Sequence, residues 1–199
     1  MYNNIVEFSR RRPLILASGS PRRRTLLSEI GCTFSIENHE VDESRRVGEE
    51  PFAYAVRLAK EKALAVHTDD RSAVLGFDTI VVIDGRVLGK PVSTEDAVEM
   101  LRSLSGNIHQ VCTAIAIAIG NQIEAADCDI TTVKFKQVTD SQIAEYVQNG
   151  EPMDKAGAYG IQGMGGFLVD SIDGNLDTVI GLPRNLLDHL CAALLESHR

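Results

Sequence analysis

Apolar residues fall into short solid runs and longer stripes of helical spacing, and the two alternate along the chain. The run from Leu14 to Ser18 reads as a buried strand that passes directly into Gly19-Ser20-Pro21. A helix is predicted to start there. Ser20 suits the N-cap and Pro21 the first helical position; Leu26, Leu27 and Ile30 supply the buried stripe, and Gly31 ends it. Phe52 to Val66 predicts a second helix with Ala55, Leu58, Ala59, Ala63 and Val66 on one face, and Lys62 falls on that same face. Ala73 to Ile83 is apolar and β-branched around Asp78. It reads as a strand turning at Asp84-Gly85 into Arg86 to Gly89, with Lys90 just beyond.

Ser93 or Thr94 caps a third helix, with Val98, Leu101 and Leu104 inward and Gly106 at its end. Two long strands, Val111 to Ile119 and Ile123 to Lys136, are joined by the turn-forming Gly120-Asn121. Thr139-Asp140-Ser141-Gln142 matches a capping box for a helix ending at Gly150. Glycines then recur at positions 157, 160, 163, 165 and 166, which suits a loop close to a ligand or another backbone. Phe167 to Ile172 and Thr178 to Leu182 look strand-like. A final helix from about Arg184 carries the stripe Leu186, Leu187, Leu190, Cys191, Leu194 and Leu195. The alternation predicts a mixed α/β domain.

With 199 residues, the chain has room for one domain or two lobes sharing a core. Its 44% hydrophobic and 24% charged content excludes disordered and fibrous classes. A net charge of -8 opposes a broad grip on a nucleic acid polymer or an anionic membrane, so an anionic ligand needs a local basic pocket. The most apolar stretch, Val111 to Ile119, is about half of a membrane span. The opening MYNNIVEFSRRRP carries Glu7 and no apolar run long enough for a secretory signal, so a cytoplasmic protein is expected. Cys32, Cys112, Cys128 and Cys191 form no CxxC pair and read as reduced thiols. His39, His67, His109, His189 and His198 lie in no catalytic pattern and read as structural or surface residues.

Four constellations carry chemistry. Leu16-Ala17-Ser18-Gly19-Ser20-Pro21-Arg22-Arg23 joins a strand to a helix N-terminus, where free N–H groups and guanidinium groups suit a phosphate; a plain capped helix with solvated arginines is the alternative. Lys62 on an apolar stripe and Lys90 before Pro91 either reach out to water or meet an anion. Asp78 inside an apolar strand is costly unless paired or bound to a metal, whereas Asp42-Glu43 reads first as loop surface. In Asp154 to Gly163, glycines allow close approach and Gln162 offers both a donor and an acceptor. No Walker A or dinucleotide-binding spacing is present.

Taken in order, LASGSPRR, LAKEKA, GFDTIV, GKP, LSG and EPMDKAGAYGIQG resemble the Maf family, from about Leu14 to Pro183. The resemblance implies an α/β fold with a mixed, elongated, twisted sheet, flanking helices and two lobes around a deep cleft, related to the inosine triphosphate pyrophosphatase type. It places one domain over 14-199 behind an N-terminal extension at 1-13, and implies a homodimer. It further implies cleavage of a nucleoside triphosphate to its monophosphate and pyrophosphate with Mg²⁺ or Mn²⁺. By the same resemblance Asp78 is the catalytic base, Glu43 lies near the metal, and Ser18, Ser20, Arg22, Arg23, Lys62 and Lys90 serve the phosphates. Arg22, Thr79 and Gln162 stand where base choice is set, and Gln162 within YGIQG is similar to the dTTP and UTP subgroup. The 7-methylguanosine triphosphate subgroup typically has Glu there. Phe77, in place of a usual alanine, and Gly174 to Asp177, without an aromatic pair, mark differences in pocket shape.

Asp78 can either take a proton or bind the ion, since both roles use the same carboxylate. A non-catalytic nucleotide sensor regulating division, or a phosphomonoesterase, would use similar residues and differ in the product released.

Overall fold

A computed structural model describes residues 2–197. In chain order the elements are α1 (Asn3–Arg11), β1 (Leu14–Ala17), α2 (Pro21–Glu29), β2 (Phe34–Ile36), α3 (Pro51–Leu64), β3 (Ala73–Ile83), β4 (Arg86–Leu88), α4 (Thr94–Leu104), β5 (Ile108–Ile119), β6 (Gln122–Phe135), α5 (Asp140–Gln148), β7 (Val169–Asp173), α6 (Leu176–Ile180) and α7 (Arg184–Ser197). Three short 3₁₀ turns lie between α5 and β7. The strand order is β2-β1-β3-β5-β6-β7, with β4 on β3. β1 is parallel to both β2 and β3, whereas β3/β4 and β6/β7 are antiparallel, so the sheet is mixed.

Two compact units emerge. The first takes the chain up to Asp78, Thr113–Asp129 and the part from Gly181 on; the second takes Thr79–Cys112 and Ile130–Ile180. Strands β3, β5 and β6 each contribute to both.

In the first unit, β1 and β3 are both buried, with Leu16 paired to Leu75 and Ala17 to Gly76. Gly76 is there because α3 presses on β3: an added Cβ would lie 2.7 Å from the Ala63 nitrogen, 2.8 Å from the Ala63 Cβ, and closer still to the Ala59 carbonyl oxygen. Cys32 and Cys191 are buried free thiols of this unit, and burial raises both above the ordinary thiol value. The opening residues, for which the apolar pattern offers no element, form α1. Ile5 and Phe8 are buried, each contributing about 1.5–3 kcal/mol, which offsets the marginal stability of a nine-residue helix. Its cap is remote. The Asp188 carboxylate in α7 accepts from the Asn4 and Ile5 backbone N–H groups at 3.0 and 3.1 Å.

The core of the second unit gathers Leu101 and Leu104 of α4, Val133 and Phe135 of β6, Ile143 and Tyr146 of α5, and Tyr159 and Leu168. Caps match the sequence pattern here: Ser93 caps α4, and Thr139 with Gln142 forms the capping box of α5. The segment from Thr178 to Leu182 is a correction, because residues 176–180 form the helix α6 instead of a strand. The β-branched run Thr178-Val179-Ile180 favours a strand locally, but Thr131 Oγ1 both donates to the Asn175 carbonyl (3.0 Å) and accepts from its N–H (2.9 Å). That exchange, following Gly174 at φ 128°, turns the chain and starts a helix. Phe167 and Leu168 likewise belong to a 3₁₀ turn, and β7 begins only at Val169.

Substituting Gly76→Ala forces backbone apart from backbone, so we expect a loss of at least about 3 kcal/mol, the upper end for overpacking. Chemical denaturation checks this, with unchanged stability as the contrary result.

Candidate active site

The C-terminal end of β1 runs into α2 through Ser18, Gly19 and Ser20, placing Ser18 (6% exposed) at the mouth of a helix N-terminus. The Ser20 hydroxyl accepts from the Arg23 N–H, and its own N–H donates to Ser18 Oγ at 3.3 Å. Arg22 and Arg23 thus occupy the first turn of α2, where the helix dipole already favours an anion. The Arg23 guanidinium is tied down on several sides. It donates to the Gly181 carbonyl (2.9 Å), Ser18 Oγ (2.9 Å) and the Phe77 carbonyl (3.4 Å), and lies 5.5 Å over the Phe77 ring. Burial lowers Arg23 to about 10, with the nearby Asp78 opposing that shift, so it is cationic at neutral pH.

On neighbouring β3, Asp78 is buried and its carboxylate accepts from Lys62 Nζ of α3 at 2.6 Å. The same ammonium lies 2.7 Å from Glu43 Oε1. Lys62 therefore does not reach out to bulk water; it joins two carboxylates. Burial raises the Asp78 carboxyl above its ordinary 3.8; Lys62 and Arg23 counter this, while Glu43 adds to it. Such a group is a stronger base than a surface aspartate.

Glu43 lies on an exposed segment, yet that segment is held in place. Tyr54 donates to the Glu43 carbonyl at 2.7 Å, and Arg57 of α3 donates to the Ser44 carbonyl at 3.0 Å. Arg57 also grips the Glu49 carboxylate through two bonds of 2.6 and 2.9 Å, and Glu61 through a third at 2.9 Å. The hydrogen bond from Arg57 outweighs the opposing effect of burial and brings Glu49 down to about 2. Sequence reasoning missed Arg57 and Tyr54 because charged and amphipathic residues on a helix read as solvated; the Arg57/Glu61 spacing of four was the available signal.

The first unit thus brings together Ser18, Ser20, Arg22, Arg23, Glu43, Lys62 and Asp78. The second unit holds the other candidates: Thr79 half-buried in β3, Lys90 exposed after β4, and Gln162 exposed in the turn Gly160–Gly163. His109 in that unit is buried against Tyr159, with Nε2 and the phenol oxygen 2.9 Å apart, and burial lowers it to about 4. His198 lies outside the described residues.

Among the described residues no cluster of three or more His, Cys, Asp or Glu side chains could hold a metal ion. Two oxygen donors do converge, since Glu43 and Asp78 share one ammonium. That set fits a Mg²⁺-like ion, which needs only one or two carboxylates beside water and phosphate oxygens.

A mixed sheet with a basic helix mouth and a buried, ammonium-bound carboxylate defines an α/β enzyme built for phosphate-bearing substrates. The family model described as Maf-like protein matches residues 13–194, and the chain belongs to that family. It is 47% identical over 181 residues to the dTTP/UTP pyrophosphatase of Hahella chejuensis (strain KCTC 2396), covering 87% of this chain and 88% of the relative. It is 51% identical over 173 residues to the dTTP/UTP pyrophosphatase of Escherichia coli O6:K15:H31 (strain 536 / UPEC), covering 85% and 87%. Among solved structures, the Staphylococcus aureus Ham1 protein has the same fold, with a TM-score of 0.50 at 17% identity over 94% of this chain and 100% of that one.

Arg57→Leu releases Glu49 toward its ordinary 4.5. In the wild-type protein this depressed carboxylate contributes stability above 4.5 that is lost as pH falls toward about 2. The variant is expected to flatten that part of the acid denaturation profile and to speed amide hydrogen exchange over residues 43–50. Unchanged exchange there would show that Arg57 does not hold the segment.

Proposed function

We propose that the protein hydrolyses dTTP and UTP to their monophosphates and pyrophosphate. The observation that carries this reading is the sharing of Lys62 between Asp78 and Glu43 beside the Ser18/Arg23 helix mouth. Relatives at 47% and 51% identity, each named a dTTP/UTP pyrophosphatase, support the substrate assignment.

In this reading Asp78 accepts a proton from a water whose oxygen attacks the α-phosphorus. The bond to the bridging oxygen breaks, and pyrophosphate leaves with the electron pair. Burial raises the Asp78 carboxyl, and Lys62 opposes that rise by donating to the ionised form, the form a base needs. Arg22 and Arg23, on the dipole of α2, stabilise phosphate charge, and Arg23 is already fixed in place by its hydrogen bonds. Glu43 and Asp78 would hold a Mg²⁺ or Mn²⁺ ion, which when bound supplies Lewis-acid stabilisation of phosphate oxygens. Lys90 is assigned to the triphosphate, and Arg22, Thr79 and Gln162 to base choice, by their places in the family motifs. A homodimer belongs to the proposal on the same resemblance, and a cytoplasmic location on the reading of the cysteines as reduced thiols. Among the described residues no helix is long and apolar enough to cross a membrane.

Asp78→Asn is expected to lose about 10²–10⁴-fold in turnover, the usual worth of a general base, with the fold retained. Pyrophosphate release from a panel of nucleoside triphosphates with Mg²⁺ or Mn²⁺ reads this directly; wild-type protein that binds without releasing pyrophosphate would be a sensor, and release of orthophosphate a phosphomonoesterase. Gln162→Glu replaces a donor-acceptor amide with an acceptor-only group and should reorder the substrates on that panel. An unchanged ranking would remove Gln162 from base selection.

A further inference from the structure

The glycines of the 157–166 segment are filled in by the protein's own side chains. A Cβ on Gly163 would lie 2.5 Å from both carboxylate oxygens of Glu151, and one on Gly165 would lie 2.5 Å from the Tyr146 hydroxyl. On Gly160 it would meet Lys155 Cε at 2.6 Å and Glu151 Oε1 at 3.0 Å. The glycines make room for a half-buried carboxylate and a phenol, not solely for a ligand.

Those two groups grip the turn that carries Gln162 from both ends. On one side the Tyr146 hydroxyl accepts from the Gly160 N–H at 3.1 Å and donates to Glu151 Oε1 at 2.9 Å. On the other, Glu151 Oε2 accepts from the Met164 N–H at 2.9 Å and Oε1 from the Gly165 N–H at 3.2 Å. Between these anchors the Gly163 N–H closes the turn on the Gly160 carbonyl at 3.2 Å, leaving Gln162 exposed at its tip. Glu151 is itself anchored, its N–H donating to Asn149 Oδ1 at 2.7 Å and its carbonyl accepting from Lys155 Nζ at 2.6 Å. Burial alone would raise the Glu151 carboxyl, but the hydrogen bonds that its carboxylate accepts from the Met164 and Gly165 N–H groups and from Tyr146 outweigh it and hold the group below the ordinary 4.5.

We infer that Glu151, working through Tyr146, is a positioning residue for nucleotide selection: its carboxylate fixes the Gly160–Gly166 turn so that Gln162 is presented in one orientation. This rests on the assignment of Gln162 to base choice. A turn held from both ends loses little entropy when a base docks, so selectivity depends on the clamp as well as on the amide. Glu151→Gln keeps the volume but turns an amide donor toward N–H groups that need acceptors. Tyr146→Phe removes the hydroxyl that links Gly160 to the carboxylate.

Steady-state kinetics of both variants with dTTP, UTP and a purine triphosphate test the inference. We expect KM for the pyrimidine substrates to rise about tenfold and their advantage over the purine to fall about tenfold, a modest share of what misplacement can cost. kcat should stay within about twofold, as for an interaction made alike in ground and transition states. Leu104→Ala, buried in the same unit, serves as the stability control and should lower Tm without altering preference. Either variant reproducing that control, with preference intact, overturns the inference; Tyr146→Phe decides the matter if Glu151→Gln does not fold. If Gln162→Glu reorders substrates while the two clamp variants do not, only the clamp fails. If Gln162→Glu leaves the ranking unchanged, the base-selection reading fails and the clamp's role in selection fails with it.

Discussion

One ammonium group shared by two carboxylates is the constraint around which the first unit is arranged. Asp78 sits within a strand whose other side chains are almost all apolar, and an isolated charge there would simply take up a proton. Lys62 opposes that outcome from α3, close enough to donate, and Glu43 offers the same ammonium a second partner. Burial and pairing pull the carboxyl in opposite directions, and burial leads. The result is a buried carboxylate more basic than a surface one, as the proposed proton abstraction requires. Backbone geometry supports it: only a glycine at position 76 lets α3 approach β3 closely enough for a lysine on that helix to reach the aspartate two residues further along.

Around this centre lies a second layer of charge with a different task. Arg57 binds Glu49, Glu61 and the Ser44 carbonyl, while its guanidinium lies 5.4 Å from the Tyr54 ring. None of these groups belongs to the proposed chemistry, yet they fix the segment bearing Glu43. In the second unit, Glu151 and Tyr146 do comparable work for the turn bearing Gln162. In both, an exposed candidate side chain is supported by a polar hub on an adjoining helix or 3₁₀ turn.

The elements that could be read from sequence are those whose instructions are local. Ser20-Pro21 starting α2, the capping box at Thr139, the Asp84-Gly85 turn and the unbroken apolar run of β3 each specify themselves within a few residues. The residue types of the candidate site were legible for the same reason, because a charge on an apolar stripe stands out. What could not be read is set by distant partners. The start of α1 depends on a carboxylate 184 residues away, and α6 depends on Thr131. Arg57 resembles any solvated helix charge until its four partners are placed around it. The glycine run announced close approach correctly, but not that Glu151 and Tyr146 are what approaches.

The docking of α1 on α7 has a consequence for how the chain is made. Ile5 leaves the ribosome 183 residues ahead of Asp188, the residue that receives its N–H. At roughly 5–20 residues per second, that interval is on the order of ten to forty seconds. Throughout it the first helix lacks its partner α7, so the nascent polypeptide must cover the surface that α7 will take by transient contacts or leave it accessible to chaperones until synthesis is nearly complete.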